Sequence, residues 1–374
     1  MNGNIRVGNL FGIPFYINPS WFLVLVLVTW SYSGGLAAQF PGLPIGVPLL
    51  LGLFTALLLF ASVLAHELGH SFVALRQGVG VNSITLFLFG GLASLEKESE
   101  TPAEAFWVAI AGPLVSLFLA GLIGIVGYTS AATGPLAAIL GLLASVNLAL
   151  ALFNLIPGLP LDGGNILKAT VWKITGNPYK GMKFASRMGQ VVGWVAIATG
   201  ILPLFVTGSF GGFWNLLIGW FLLQNAGQAA QYASVKEQLD GLTAADAVTP
   251  NSPVVSAQLS LREFADQLIL NPGQWRKFLV VNADDQLVGE VAVDSLRMVP
   301  GDRWSETLVG ELAKPVDAFR TVPSNQPLMD VIKILEEKQL PALTVIRDNG
   351  ILVGLLEKPS IINLLQHRTQ ATPA

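Results

Sequence analysis

Residues 48–77 read PLLLGLFTALLLFASVLAHELGHSFVALRQ, and the first eighteen of them carry no polar side chain except Thr55 and Ser62. About 20 such residues suffice to cross the hydrocarbon core as a helix. The run then places His66, Glu67 and His70 at its C-terminal end. Ionisable groups at the membrane end of a span are costly, which marks them as functional.

Outward from this stretch the composition is uneven. The 374 residues are 12% charged and 52% hydrophobic, with no cysteine and a net charge of −3. Soluble domains carry about 25% charged residues. Disorder, a disulfide scaffold and any Cys-ligated zinc or iron–sulfur centre are therefore excluded, and the charge disfavours a nucleic-acid surface. Only 14 of the 45 charged residues lie in 1–231, and the other 31 lie in 232–374. The expected organisation is a membrane domain over 1–231, a linker over 232–241 and a soluble domain over 242–374.

Six spans are expected, at about 19–38, 48–77, 103–128, 135–157, 183–204 and 211–232. The first is read as retained rather than as a cleaved leader, because Arg6 is the only positive charge before it and no A-x-A site follows. Connections 31–48, 127–136 and 203–213 contain no Lys, Arg, Asp or Glu. Every charge of the first 231 residues falls in the N-terminus, in 67–104 or in 162–187. Six spans bring these segments to one face, and the positive-inside rule makes that face, with both termini, cytoplasmic.

His66 and His70 stand four apart, one turn along a helix, so both imidazoles can reach one metal ion. Glu67 can contact a water on that metal. The alternative is a pair of polar core residues bonded to a neighbouring helix. Catalytic zinc usually takes three protein ligands and leaves one position open. His367, the third histidine, reads as a surface residue near the C-terminus. The remaining acid embedded in apolar sequence is Asp162, in FNLIPGLPLDGGNIL (153–167), where Pro157, Gly158 and Pro160 break the fourth span. Such a break belongs inside protein or beside a wet cavity. A helix N-cap is the other reading of Asp162.

HELGH at the end of a long span, AIAGP at 109–113 and NLIPGLPLDGG together resemble the site-2 protease family of intramembrane zinc metalloproteases, over about residues 10–230. The resemblance implies one Zn2+ per chain, held by His66, His70 and Asp162, with Glu67 as general base. Asn154, eight residues before Asp162, matches the family's asparagine held to position substrate near the metal. Many relatives carry a PDZ domain between spans, for which the loops here are too short. In AIAGP, Ala109, Ala111 and Gly112 read as a close helix contact.

The chemistry suits these groups. Zinc lowers the pKa of bound water to about 7 and polarises a carbonyl, Glu67 moves protons, and one amide donor such as Asn154 at an oxyanion is worth ~2.7–4 kcal/mol. A helical substrate must be extended before attack. Residues 79–96, VGVNSITLFLFGGLASLE, read as a membrane-associated hairpin turned at Gly90-Gly91, either a strand template for the unfolding substrate or a simple packing hairpin.

The tail repeats itself. FLVVNADDQLVGEVAV (278–293) matches ALTVIRDNGILVGLLEK (342–358), and Gly289 and Gly354 stand 65 positions apart. Each unit reads as strand, helix, hairpin and closing helix, turned at Asp284-Asp285 or at Asp348-Asn349-Gly350. The pattern resembles a tandem CBS domain. Where that family's nucleotide pattern has Thr or Ser and then Asp after the glycine, this chain has Ala292 and Ser295, then Glu357 and Ser360. Two readings stay open: an adenine-nucleotide site, or a dimerising or gating module without ligand.

The expected fold is thus a polytopic α-helical membrane protein with a membrane-associated β-hairpin, followed by a soluble α/β tandem CBS module. The expected function is an intramembrane zinc endopeptidase of a multi-pass cell-membrane protein. Its substrate would be a single-span membrane protein, such as an anti-sigma factor or membrane-tethered regulator, cleaved in regulated proteolysis. The CBS pair would regulate it or make a homodimer. The alternative is a CBS-regulated metal or ion transporter, since transporters also carry midplane carboxylates and broken helices. Glu67 discriminates, because hydrolysis needs a base between the histidines and transport does not.

Overall fold

The computed structural model describes residues 3–88, 90–208, 211–270 and 275–371, in two compact units, 1–234 and 235–374.

The first unit opens with strands β1 (Ile5–Leu10) and β2 (Ile13–Ile17), an antiparallel hairpin that pairs Leu10 with Ile13. Phe11 and Gly12 at its tip both have positive φ, 53° and 85°, the backbone that a two-residue hairpin turn demands. Helices α1 (Ser20–Gln39) and α2 (Val47–Arg76) follow. Next come β3 (Val81–Phe87) and β4 (Gly90–Leu95). The sheet order is β1-β2-β3-β4, with β2 and β3 parallel and β4 at an edge.

The expected hairpin is present, but its turn is not at the glycines. Gly90 pairs with Phe87 and Gly91 with Leu86, and Phe89 lies outside the described residues. Gly90 and Gly91 belong to β4 itself. The sheet buries Ile13, Phe15, Ile84 and Leu86 against Phe60, Leu64 and Leu68 of α2. Those helix positions recur every four residues, so one stripe of α2 is spent on the sheet.

Helix α3 (Pro102–Thr129) begins with a capping box in which Thr101 Oγ1 accepts from the Glu104 amide at 3.2 Å. After α4 (Gly134–Asn154) the chain turns irregularly through 155–161 and enters α5 (Asp162–Thr175). Helix α6 (Pro178–Thr207) is capped by Asn177, whose Oδ1 accepts from the Tyr179 and Lys180 amides.

Among the described residues α1, α2, α3, α4 and α6 are long and apolar enough to cross a membrane, five where six were expected. The sixth expected span lies in α7 (Phe213–Leu239), a continuous helix carrying Gln224, Asn225, Gln228 and Gln231. Its amides dilute the apolar run, and burying each without a partner costs free energy.

In the second unit each repeat forms a three-stranded sheet. The first comprises β5 (Val254–Ser256), α8 (Leu261–Leu270), β6 (Lys277–Val281) and β7 (Leu287–Ala292). After the short helix α9 (Val309–Leu312), the second comprises β8 (Thr321–Pro323), α10 (Leu328–Glu337), β9 (Ala342–Ile346), β10 (Leu352–Glu357) and α11 (Lys358–Ala371). The turns fall where expected, with Asp285 and Gly350 at positive φ. The closing helix of the first repeat is instead a 3-10 turn, Val293–Met298.

The repeats exchange their lead-in segments. Leu242, Ala244 and Ala247, which precede the first repeat, are buried in the core of the second with Leu328, Leu343 and Leu356. Val309 completes the core of the first with Leu261, Phe264 and Val280. Thr249 donates its amide to Leu355 O, while Glu290 and Lys314 bond each other's backbone. Gly289 and Gly354 occupy equivalent places, and a Cβ on either would strike the incoming segment at Lys314 or Val248. The repeated glycine is therefore a packing requirement.

Candidate metal centre

Helix α2 turns different stripes to different neighbours. Phe60, Leu64 and Leu68 face the sheet, while His66 and His70 face α3. Both imidazoles are buried. The Nδ1 of His70 donates to the Val108 carbonyl at 2.7 Å, and the Nδ1 of His66 lies 2.9 Å from Ser116 Oγ. With its Nδ1 so engaged, each ring brings its Nε2 beside Gly112 of α3, and the two Nε2 atoms are 3.3 Å apart.

Asp162 meets them. The residue stands at the start of α5, after a break whose shape follows from its residues. Prolines at 157 and 160 withhold two amide donors, and the Leu159 amide bonds Ala185 O of α6 at 3.1 Å. Side chains on Gly158, Gly163, Gly164 and Gly189 would all overlap neighbouring backbone. This close packing carries Asp162 to the α2 histidines, its Oδ2 being 3.1 Å from His66 Nε2 and 3.3 Å from His70 Nε2. The N-cap of α5 is Leu161, with no side-chain cap bond, so the carboxylate serves the imidazoles and not the helix end.

These three donor atoms lie within 4.8 Å of one another. A carbonyl only accepts, so the neutral His70 ring carries its proton on Nδ1 and presents a lone pair at Nε2. That lone pair faces a carboxylate oxygen and a second imidazole, an arrangement that asks for a cation at its centre. The separations agree with this, since bonds of about 2.0–2.1 Å to a tetrahedral zinc give corners about 3.3–3.4 Å apart. A Cβ on Gly112 of α3 would overlap both Nε2 atoms, so the space beside the donors exists only because residue 112 is glycine. The donor set, two imidazoles and a carboxylate, fits zinc with room for a further ligand.

Glu67 is buried beside this group. Its Cγ lies against β4, where a side chain on Gly91 would overlap it, and the Ala93 amide faces its carboxylate. Asn154 is the last residue of α4 and half-buried, and its side chain makes no hydrogen bond among the described residues. His367 is exposed on α11, apart from any such group. The sequence reading did not anticipate Ser116, the Val108 carbonyl or Gly91. A serine four residues after Gly112 in an otherwise apolar span was the available signal for the first.

The chain is similar to known proteins. The model of peptidase family M50 matches residues 54–132 and 118–196, and the CBS domain model matches 309–367. A Synechocystis protein named as a candidate zinc metalloprotease is 58% identical over 366 residues, 98% of this chain and 96% of its own. A Mycobacterium tuberculosis protein with a name of the same kind is 34% identical over 376 residues, 100% of this chain and 95% of its own. The solved site-2 protease of Methanocaldococcus jannaschii shares 30% identity, covering 61% of this chain and 95% of that one with a TM-score of 0.44.

A membrane-embedded zinc metalloprotease is thus the class that helices, donor group and relatives define together. The chain belongs to peptidase family M50, the site-2 proteases, and carries a C-terminal CBS module. The transporter alternative falls away with that membership.

Proposed function

We propose that this protein hydrolyses a peptide bond within or near the transmembrane segment of a single-span membrane protein, with residues 1–231 as the catalytic domain. His66, His70 and Asp162 hold one zinc ion, which when bound supplies Lewis acidity toward a carbonyl and an activated water at neutral pH. Glu67, one position from His66 and screened from solvent, takes a proton from the attacking water and passes it to the leaving nitrogen. Asn154 donates its amide to the substrate carbonyl and to the oxyanion that develops from it. The convergence of two Nε2 atoms and one carboxylate oxygen, with Glu67 alongside, carries this reading.

Strand β4 is an edge of its sheet and lies against Glu67. An extended substrate adds to that edge through main-chain hydrogen bonds, which are indifferent to side chains and hold the peptide bonds open to attack. Leu92, 62% exposed in the middle of β4, is the place for a photo-crosslinker. Capture of a bound peptide there is expected, and a complete lack of contact would remove the template role.

The distribution of charge favours a cytoplasmic side for both termini, where the CBS pair (242–374, after a linker over 232–241) gates the protease, by dimerisation or by binding an adenine nucleotide. The product is a regulator, such as one held by an anti-sigma factor, freed from the membrane. Purified protein incubated with candidate single-span proteins tests the activity, with Glu67→Gln as control. Cleavage is expected from the unaltered protein and a loss of about 10²–10⁴-fold from the variant, with zinc retained. Equal cleavage by both overturns the mechanism.

A further inference from the structure

We propose that Ser116 is a positioning residue for the metal centre, its hydroxyl oxygen accepting the Nδ1–H of His66 and so holding that ring's Nε2 lone pair toward Asp162 and His70. The inference rests on the ligand set proposed above.

Three positions of α3 carry it. Val108, Gly112 and Ser116 recur every four residues and form one stripe facing α2. The stripe presents a carbonyl, a gap and a hydroxyl in that order. The carbonyl takes the Nδ1 of His70 at 2.7 Å, the gap admits both Nε2 atoms, and the hydroxyl lies 2.9 Å from the Nδ1 of His66. The imidazoles stand one turn apart on α2 and their supports stand two turns apart on α3, so each ring is held from its outer side. Both rings point inward as a result.

A ligating imidazole must be neutral with its free lone pair at the metal, and the partner of the other nitrogen decides which nitrogen that is. For His70 the acceptor is a carbonyl and the choice is forced. For His66 the partner is a hydroxyl, which can accept or donate. Donation by Ser116 would leave the proton on His66 Nε2, pointing into the donor group where no metal could then be bound by that ring. Acceptance gives His66 the same tautomer as His70. Ser116 is fully buried on an apolar helix, and a hydroxyl there costs free energy unless it is bonded. The bond to His66 meets that cost and orients the ring in the same stroke.

Full-length protein in lipid nanodiscs, titrated with zinc against a chelator, tests the proposal with His66→Ala, Ser116→Ala and Ser116→Thr. The unaltered protein is expected to bind one zinc and His66→Ala to lose it; if His66→Ala binds zinc as tightly, the ligand set itself is wrong. With that control met, Ser116→Ala is expected to weaken zinc binding about 10–100-fold, the usual effect of losing a partner that orients a ligand. Ser116→Thr, which keeps the hydroxyl, is expected to recover most of it. Unchanged affinity in Ser116→Ala overturns the positioning role.

A spectrum separates orientation from mere helix packing. The chain has three histidines, so ¹⁵N-histidine labelling gives few signals to assign. In the zinc-loaded protein the His66 Nδ1 proton is expected far downfield, as a hydrogen-bonded proton, and to move upfield in Ser116→Ala. Its absence from the downfield region in the unaltered protein overturns the proposal even where the variant fails to fold.

Discussion

Position 112 shows how little freedom the donor group leaves its surroundings. The α3 backbone passes beside both Nε2 atoms, and one added methyl group would overlap them. Gly112→Ala is therefore expected to lose zinc and proteolysis together, read by metal stoichiometry alongside cleavage. A variant that keeps a full zinc complement would contradict the packing described for α2 and α3. Asp162→Ala removes one corner of the donor triangle and leaves two imidazoles in place. Zinc affinity is expected to fall markedly, and a stoichiometry that stays at one ion per chain would leave Asp162 without a ligand role. The two changes probe opposite things, since one takes space from the site and the other takes away a donor.

Among the elements, α2 and β4 are the pair to disturb. Helix α2 gives the stripe of Phe60, Leu64 and Leu68 to the sheet and keeps His66 and His70 for α3. Glu67 falls between the two, against β4. Gly91→Ala in β4 would push on the Glu67 side chain without touching the metal donors. Turnover is expected to drop at least about tenfold, as a misplaced general base implies, while zinc binding stays normal. Parallel loss of zinc would mean that β4 braces the donor group as well as the base. The sequence pattern offered Gly90-Gly91 as a turn because paired glycines usually are one. The structure uses Gly91 for clearance, a demand set by a residue 24 positions earlier in the chain.

For the molecule as a whole, the exchange of lead-in segments makes the second unit a single folding entity. Val309 lies in the core of the first repeat, and Leu242, Ala244 and Ala247 lie in that of the second. Deleting 309–374 is expected to leave the first repeat without its Lys314 pairing and a core side chain. Limited proteolysis should then degrade 242–308 rapidly, whereas a protease-resistant 242–308 would show that a repeat can stand alone. Burying one Val-sized side chain is worth about 1.5–3 kcal/mol, a large part of the stability of so small a piece.

The chain's own order of residues was enough to reveal the membrane helices, the H-E-x-x-H turn, the lone carboxylate in a broken span and the doubled tail. Each of these is a local matter of period, spacing or composition. The sequence could not decide how strongly apolar the last long helix must be to span, because amides scattered along α7 weaken a signal that its length alone suggests. The strands β1 and β2 went unread, since a short hairpin joins its sheet only through a partner 69 residues away. Whether Asp162 caps a helix or faces two imidazoles depended on where α5 begins relative to α2, and tertiary packing alone decided it. The same holds for Ser116 and Gly112, whose roles arise only because α3 passes within hydrogen-bonding distance of α2. Contacts between segments distant along the chain obey the same chemistry as local ones, but only the folded chain brings the partners together.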